Sequence, residues 1–310
     1  MSFDALVYNI LSLGLPCCLL ALGVFLTFRI LDFADMTAEG SLLIGGATCI
    51  LLCEKGFPPI VATIGGMLAG AVCGSITGVL NRVLKIPKLL SGIITMTASA
   101  SIAALLFGLA NGEIFSSEAD ITGPTIFSFL DPHIFHGWQQ IIVVGGILII
   151  VFSLVYFFFG TEYGMAIRST GVNERMAKSQ GINTTATTII CVSISNAMIG
   201  LAGALIAQID THMYAGSATG YLVVGLASIL IGETIVGKRS FKMSLIAICL
   251  GSICYFVILN LATFVFGIPD DLNNLLYAIL IVIALCLPMM KSGISKLFTK
   301  KKEDEGNVRA

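Results

Sequence analysis

The stretch GFPPIVATIGGMLAGAVCGSITGVLN, residues 56–81, carries no charged side chain. A helix needs roughly 20 apolar residues to cross the hydrocarbon core of a bilayer, so the run is read as a membrane-spanning helix. Within it Gly66, Gly70, Gly74 and Gly78 recur four residues apart. That spacing draws a stripe without side chains down one helix face, along which a second helix can approach closely. The stripe suits packing within the chain or a seam with a second copy, and the sequence leaves both open.

Outward from this run, further uncharged runs lie near 10–28, 89–112, 139–161, 184–209, 211–232, 243–269 and 272–290. A shorter one, 41–53, follows Glu39 and reads as the second half of a span, a tilted short helix or a re-entrant segment. Only 11% of the residues are charged and 56% are hydrophobic, with a mean hydropathy of +0.97, whereas a soluble domain carries about 25% charged residues. The runs are continuous rather than alternating, which excludes a membrane β-barrel. The expected fold is an all-α integral membrane bundle of about 8–10 transmembrane helices. It is a single transmembrane domain over residues 1–290, with a charged tail at 291–310.

Charge placement supplies an orientation. With nine crossings and the N-terminus outside, sixteen of the 17 Lys and Arg residues fall on the inner side and Lys55 alone on the outer, as the positive-inside rule requires. The C-terminus is then cytoplasmic. The N-terminus lacks a basic leader region and reads as an uncleaved first span. The outer side carries a long loop, 113–138, with Glu113, Glu118, Asp120 and Asp131, ending at Trp138, which suits an interfacial anchor. That loop reads as solvated chain, a short surface helix or a docking ledge. The nine cysteines all lie in apolar segments, where they serve as small packing residues rather than disulfide or metal ligands. Asp131, His133 and His136 could in principle meet a metal at the outer face, but loop histidines are more often simply solvated, and no metal is expected.

One hydrophilic island interrupts the inner half: YGMAIRSTGVNERMAKSQGIN, residues 163–183, with three cations, one anion and three glycines. Asn173 fits a helix N-cap, Glu174 the positive start of the helix, Lys178 its negative end, and Gly181 the position just beyond it. Glu174 and Lys178 are also an i,i+4 pair in the favourable order, worth a few tenths of a kcal/mol. A preceding turn, Tyr163 to Thr170, is expected to end at Gly171. The element reads as two short helices at the cytoplasmic surface, or as an ordinary solvated loop of helical character.

The island resembles the cytoplasmic coupling segment of ABC importer permeases of the branched-chain amino-acid and ribose group. Their pattern, G-x-x-x-R-x-x-G-x-N-x-x-x-A-x-x-x-G-I-N, is met by Gly164, Arg168, Gly171, Asn173, Ala177, Gly181, Ile182 and Asn183. The resemblance extends over most of the chain. Where such permeases carry asparagine-phenylalanine-alanine-histidine-glycine, this chain has Asp32, Phe33, Ala34, Asp35 and Met36, closer to the smaller permeases associated with tryptophan and tyrosine uptake. The resemblance implies a multi-pass permease of the cell membrane that forms the path for a small solute, an amino acid, with the tyrosine- and tryptophan-type likeness pointing to an aromatic one. It implies a separate cytoplasmic ATP-binding subunit, an extracytoplasmic solute-binding protein and a second permease copy, in a homodimer. Residues 162–183, including Glu174, Arg175 and Lys178, would couple to the ATPase. ATP and Mg would be bound on that partner, with no cofactor in this chain; no nucleic-acid partner is expected.

Other classes find less support. GETIVGKRS, residues 232–240, has the spacing of a phosphate-binding loop but places Arg239 where Ser or Thr must hold Mg. It follows a membrane run rather than a buried strand, so the chain is expected to be non-catalytic. An intramembrane enzyme lacks its motifs. An ion-coupled secondary transporter is the alternative, and it needs an acid at the membrane midplane, where the acids are expected to be nearly absent. Candidates for the substrate path are Asp32, Asp35 and Glu39 around the break before the short run, with Asn196, Gln208 and Asn260 inside spans. The acids read equally as an inner-surface loop beside Arg29, and the amides as interhelical hydrogen-bond partners.

Overall fold

The computed structural model describes residues 3–129, 138–237 and 240–266. The expected span 272–290, the tail 291–310, Asp131, His133, His136, Lys238 and Arg239 lie outside the described residues. The helices are α1 (Phe3–Val24), α2 (Thr37–Glu54), α3 (Pro59–Arg82), α4 (Lys88–Asn111), α5 (Gln139–Phe158), α6 (Glu162–Val172), α7 (Glu174–Ser179), α8 (Thr184–Asp210), α9 (Tyr221–Val236) and α10 (Phe241–Phe266). Two three-residue strands, β1 (Glu118–Asp120) and β2 (His212–Tyr214), pair antiparallel. Seven helices among the described residues are long and apolar enough to cross a membrane, and α9 is apolar but shorter. The chain is therefore an all-α polytopic membrane protein.

Local chemistry accounts for several boundaries. Pro59 opens α3 and Pro87 precedes α4, positions where the missing N–H is not needed. Helix α1 runs into a π-helical turn, Phe25–Ile30, after which Asp32 takes a left-handed φ of 52° and the chain reverses. Contacts between elements define two ends of the bundle. At one, the basic end, Arg29 pairs with Glu233, Arg82 with Glu174, and Lys88 donates to the Asp32 carbonyl. At the other, the hairpin end, β1 meets β2 and Thr122 bonds Glu54.

Helix α8 is the central member, packed against α1, α2 and α3. The glycine stripe of α3 faces it. A Cβ on Gly70 would lie 2.3 Å from the Asn196 carbonyl oxygen, and one on Gly74 2.5 Å from that of Val192. One on Gly66 would lie 2.5 Å from the Gly45 carbonyl oxygen of α2. The stripe is thus filled from within the chain, while Leu68, Val72 and Ile76 of the same helix point outward, exposed. Buried hydroxyls and amides tie the seams: Ser195 donates to the Gly23 carbonyl at 2.7 Å, and Thr37 and Thr77 share a 2.6 Å bond.

One open reading resolves here, with 41–53 as the second half of a span, and two expectations change. The run 41–53 belongs to an 18-residue helix that starts at Thr37 and takes in Glu39; it is wedged between α3, α4 and α8. The run 211–232 is not one span: Thr211 takes a left-handed φ of 54°, residues 212–214 pair with β1, and the helix starts only at Tyr221. Absence of charge marked this run as buried, yet strand pairing satisfies part of its backbone outside a helix. The described part of the loop, 113–129, is not simply solvated, since Ala119, Ile121, Ile126 and Phe127 are buried and the Ile126 N–H donates to Gln208 Oε1 at 2.7 Å.

Candidate functional site

The hydrophilic island folds as an elbow of two helices. Thr161 caps α6 by accepting from the Gly164 N–H at 3.4 Å, and Asn173 caps α7 by accepting from Met176 at 3.1 Å. Asn183 then caps α8 by accepting from Ala186 at 3.1 Å. Asn173 itself is extended, φ −156° and ψ 99°, and forms the corner. After α7 the chain turns at Gly181, whose φ of 81° is left-handed, a conformation glycine adopts without penalty. The Ile182 N–H donates back to the Ala177 carbonyl at 3.1 Å, and the Ala177 side chain is buried.

Two further contacts fix the elbow to the bundle. Gly164 packs on the backbone of Phe158 and Phe159. Gly171 does not end the first helix as expected; α6 continues through it to Val172. Its function is close approach, because a Cβ there would lie 1.8 Å from the Ile30 carbonyl oxygen at the end of the π-turn.

The ion pairs are denser than the sequence indicated. Glu174 Oε1 lies 3.0 Å from Lys178 Nζ, the expected pair, and also 2.7 Å from Arg82 Nη1 at the end of α3. Arg82 carried no sequence signal beyond its basic loop. Burial alone would raise the Glu174 carboxyl, but the hydrogen bonds and charges of Lys178 and Arg82 outweigh it and hold its pKa below the ordinary value. A group so lowered contributes stability above its unfolded pKa and loses it as pH falls through the folded one. The elbow is therefore expected to stay anchored at neutral pH and to loosen only in acid, below the ordinary glutamate range. The protection of the amides over residues 174–179, measured against their intrinsic exchange rates, should fall there, and Glu174→Gln should lower that protection already at neutral pH and remove its drop in acid.

Arg168 is half-buried and borders two clefts. Its guanidinium lies 4.3 Å from the Phe241 ring centre and 5.5 Å from that of Phe159, and burial lowers its pKa. Arg175 is exposed. At the tip, Val172 is 88% and Met176 62% exposed, and both border a cleft of about 360 Å³ lined also by Arg168, Asn173, Gln180 and Ile182.

The residues expected along a path are dispersed. Asp35 and Asn196 meet: Asn196 Nδ2 donates to Asp35 Oδ2 at 2.6 Å, and the Thr37 N–H donates to Asp35 Oδ1 at 2.9 Å. Because Asn196 lies near the middle of the 27-residue α8, Asp35 is buried deep in the bundle, not on a surface loop beside Arg29. Asp32 is exposed. Glu39 accepts from the Gly220 N–H at 3.0 Å. Gln208 bonds Thr63 at 2.8 Å near the hairpin end, and Asn260 bonds its own helix at the Phe256 carbonyl.

Residues 6–285 match the family described as branched-chain amino acid transport system / permease component. The chain belongs to this family. It is 32% identical, over 95% of both chains, to the tyrosine transport system permease protein of Clostridioides difficile. It is 25% identical to the galactofuranose transporter permease protein of Escherichia coli, over 92% of this chain and 79% of that one. A probable branched-chain amino acid transport permease protein of Methanocaldococcus jannaschii is 29% identical over 74% of this chain and 72% of its own. No solved structure matches the chain. The protein is a multi-pass permease subunit of an ABC importer, in the bacterial inner membrane.

Proposed function

We propose that this permease imports an amino acid with an aromatic side chain, tyrosine or a close analogue, and that the α6–α7 elbow receives the stroke of a separate cytoplasmic ATPase. The observation that carries the coupling role is the elbow itself, locked to Ile30 and Arg82 at its base while Val172 and Met176 stand exposed at its tip. A rigid, capped element transmits displacement that a floppy loop would absorb. Gly164, Arg168, Gly171, Asn173, Glu174, Ala177, Lys178, Gly181 and Asn183 build it, and Arg175 and Lys178 present charge beside its tip. The basic end then faces the cytoplasm, as the positive-inside rule favours, and ATP and Mg act on the partner.

Tyrosine is suggested by the name of the relative from Clostridioides difficile, a tyrosine transport system permease. A solute-binding protein would deliver the amino acid at the hairpin end, and a second copy of the chain would complete the passage. Asp32, Asp35, Glu39, Asn196, Gln208 and Asn260 remain the candidates along it; Asp35 and Asn196 act by holding the break at 31–36 in shape.

The test is co-expression with the cognate ATP-binding subunit. Val172→Asp with Met176→Asp should reduce ATPase recovered with the purified permease by tenfold or more and abolish tyrosine uptake, while the permease stays monodisperse. Undiminished ATPase recovery would sink the coupling role; intact coupling with uptake of leucine but not tyrosine would sink the substrate.

A further inference from the structure

A second cleft opens at the basic end between α5 and α10, away from the tip of the elbow. It encloses about 560 Å³ lined by Tyr156, Phe159, Thr161, Arg168, Ser240 and Lys242. Sharing Tyr156, Phe157 and Lys242, it continues into an apolar groove of about 510 Å³ bordered by Phe152, Leu245, Ile246 and Leu250. The polar part therefore sits at the membrane boundary and the apolar part runs along two spanning helices.

The polar part is prepared for an anion. Neither Arg168 nor Lys242 has a carboxylate within ion-pair distance among the described residues; both rest on rings, with Lys242 Nζ 5.1 Å from the Tyr156 ring centre. Arg168 Nε is buried and has no hydrogen-bond partner among the described residues. The 26-residue α10 begins here, with Ser240 Oγ accepting from the Met243 N–H at 3.4 Å. The positive end of a helix adds to the attraction for an anion.

We propose that this cleft binds one anionic phospholipid of the leaflet at the basic end, its phosphate held between Arg168 and Lys242 and an acyl chain lying in the groove of Phe152, Leu245, Ile246 and Leu250. A soluble anion would satisfy the cations but leave the groove empty, whereas a lipid fills both, and basic pockets between spanning helices recognise anionic headgroups. Because Arg168 belongs to α6, the bound lipid would brace the elbow against α10. The proposal needs only that the chain spans a membrane, so it stands or falls separately from the ATPase and the substrate.

Native mass spectrometry of the full chain in detergent tests it, with phosphatidylglycerol and phosphatidylcholine of matched acyl chains offered equally and inorganic phosphate as a third arm. Phosphatidylglycerol should be retained in preference and resist equimolar phosphate. Lys242→Gln should weaken its retention roughly fivefold, the usual effect of one basic residue at an anionic surface, and Lys242→Arg should restore it. Ile246→Trp, which fills the groove but leaves both cations, should also lower retention. Equal retention of the two lipids, or undiminished phosphatidylglycerol in both Lys242→Gln and Ile246→Trp, overturns the proposal. Displacement by phosphate reveals a free-anion site and overturns it equally.

Discussion

Gly171→Leu is expected to cut uptake more than tenfold while the protein still inserts and purifies normally. The position sits where α6 lies directly on the carbonyl of Ile30, with no room for even a methyl group. Overpacking a well-filled contact costs about 1–3 kcal/mol and forces backbone shifts; here the neighbour is backbone and cannot rotate aside. Helix α6 must lift from the π-turn, and the elbow loses the contact through which its motion reaches α1. The spanning helices are untouched, so ATP hydrolysis in the assembled importer should persist with little substrate movement. Gly171→Ala should show the same defect more weakly. Wild-type uptake by the leucine variant in membrane vesicles would show that the Ile30 contact transmits nothing.

Gly70→Leu should damage the bundle itself. The Cβ would fall 2.3 Å from the Asn196 carbonyl oxygen, and α8 is the helix on which α1, α2 and α3 all pack. Separating α3 from α8 also strains the Asp35–Asn196 and Thr37–Thr77 bonds. A loss of about 3 kcal/mol, the upper part of the range for overpacked cores, is expected. It would be read as a clear drop in the unfolding temperature of the detergent-solubilised chain. Val72→Ala, two residues along the same helix but 57% exposed, should be nearly neutral. A stable Gly70→Leu chain that fails only to self-associate would mean that the stripe serves a second copy instead.

These two glycines show what was legible. The stripe in α3 was visible as a spacing, and its meaning, close helix approach, follows from that spacing alone. The identity of the partner was not visible, because α3 and α8 meet across more than a hundred residues of chain. Gly171 was visible as part of a motif but read as a helix end, since glycine serves both just past a helix and at a tight crossing. Only the position of Ile30 separates the two.

Local signals carried further. Asn173 caps its helix, Gly181 turns left-handed, and Glu174 meets Lys178, because each depends on neighbours within four residues. Arg82, Phe241 and Ile30 gave no such sign, although they anchor Glu174, Arg168 and Gly171. The same limit explains the run 211–232: lack of charge says that a segment avoids water, not whether a helix or a short ladder satisfies its backbone.

Composition and period thus determined by themselves that the chain is a helical membrane bundle with one hydrophilic island holding a capped helix start at Asn173, since transfer from water and helix capping are properties of short segments. The tertiary structure alone decided that the glycine stripe closes within the chain, that Asp35 lies deep beside Asn196, and that the elbow rests on Ile30 and Arg82. Those contacts join residues far apart in the chain, where no local period can point from one to the other.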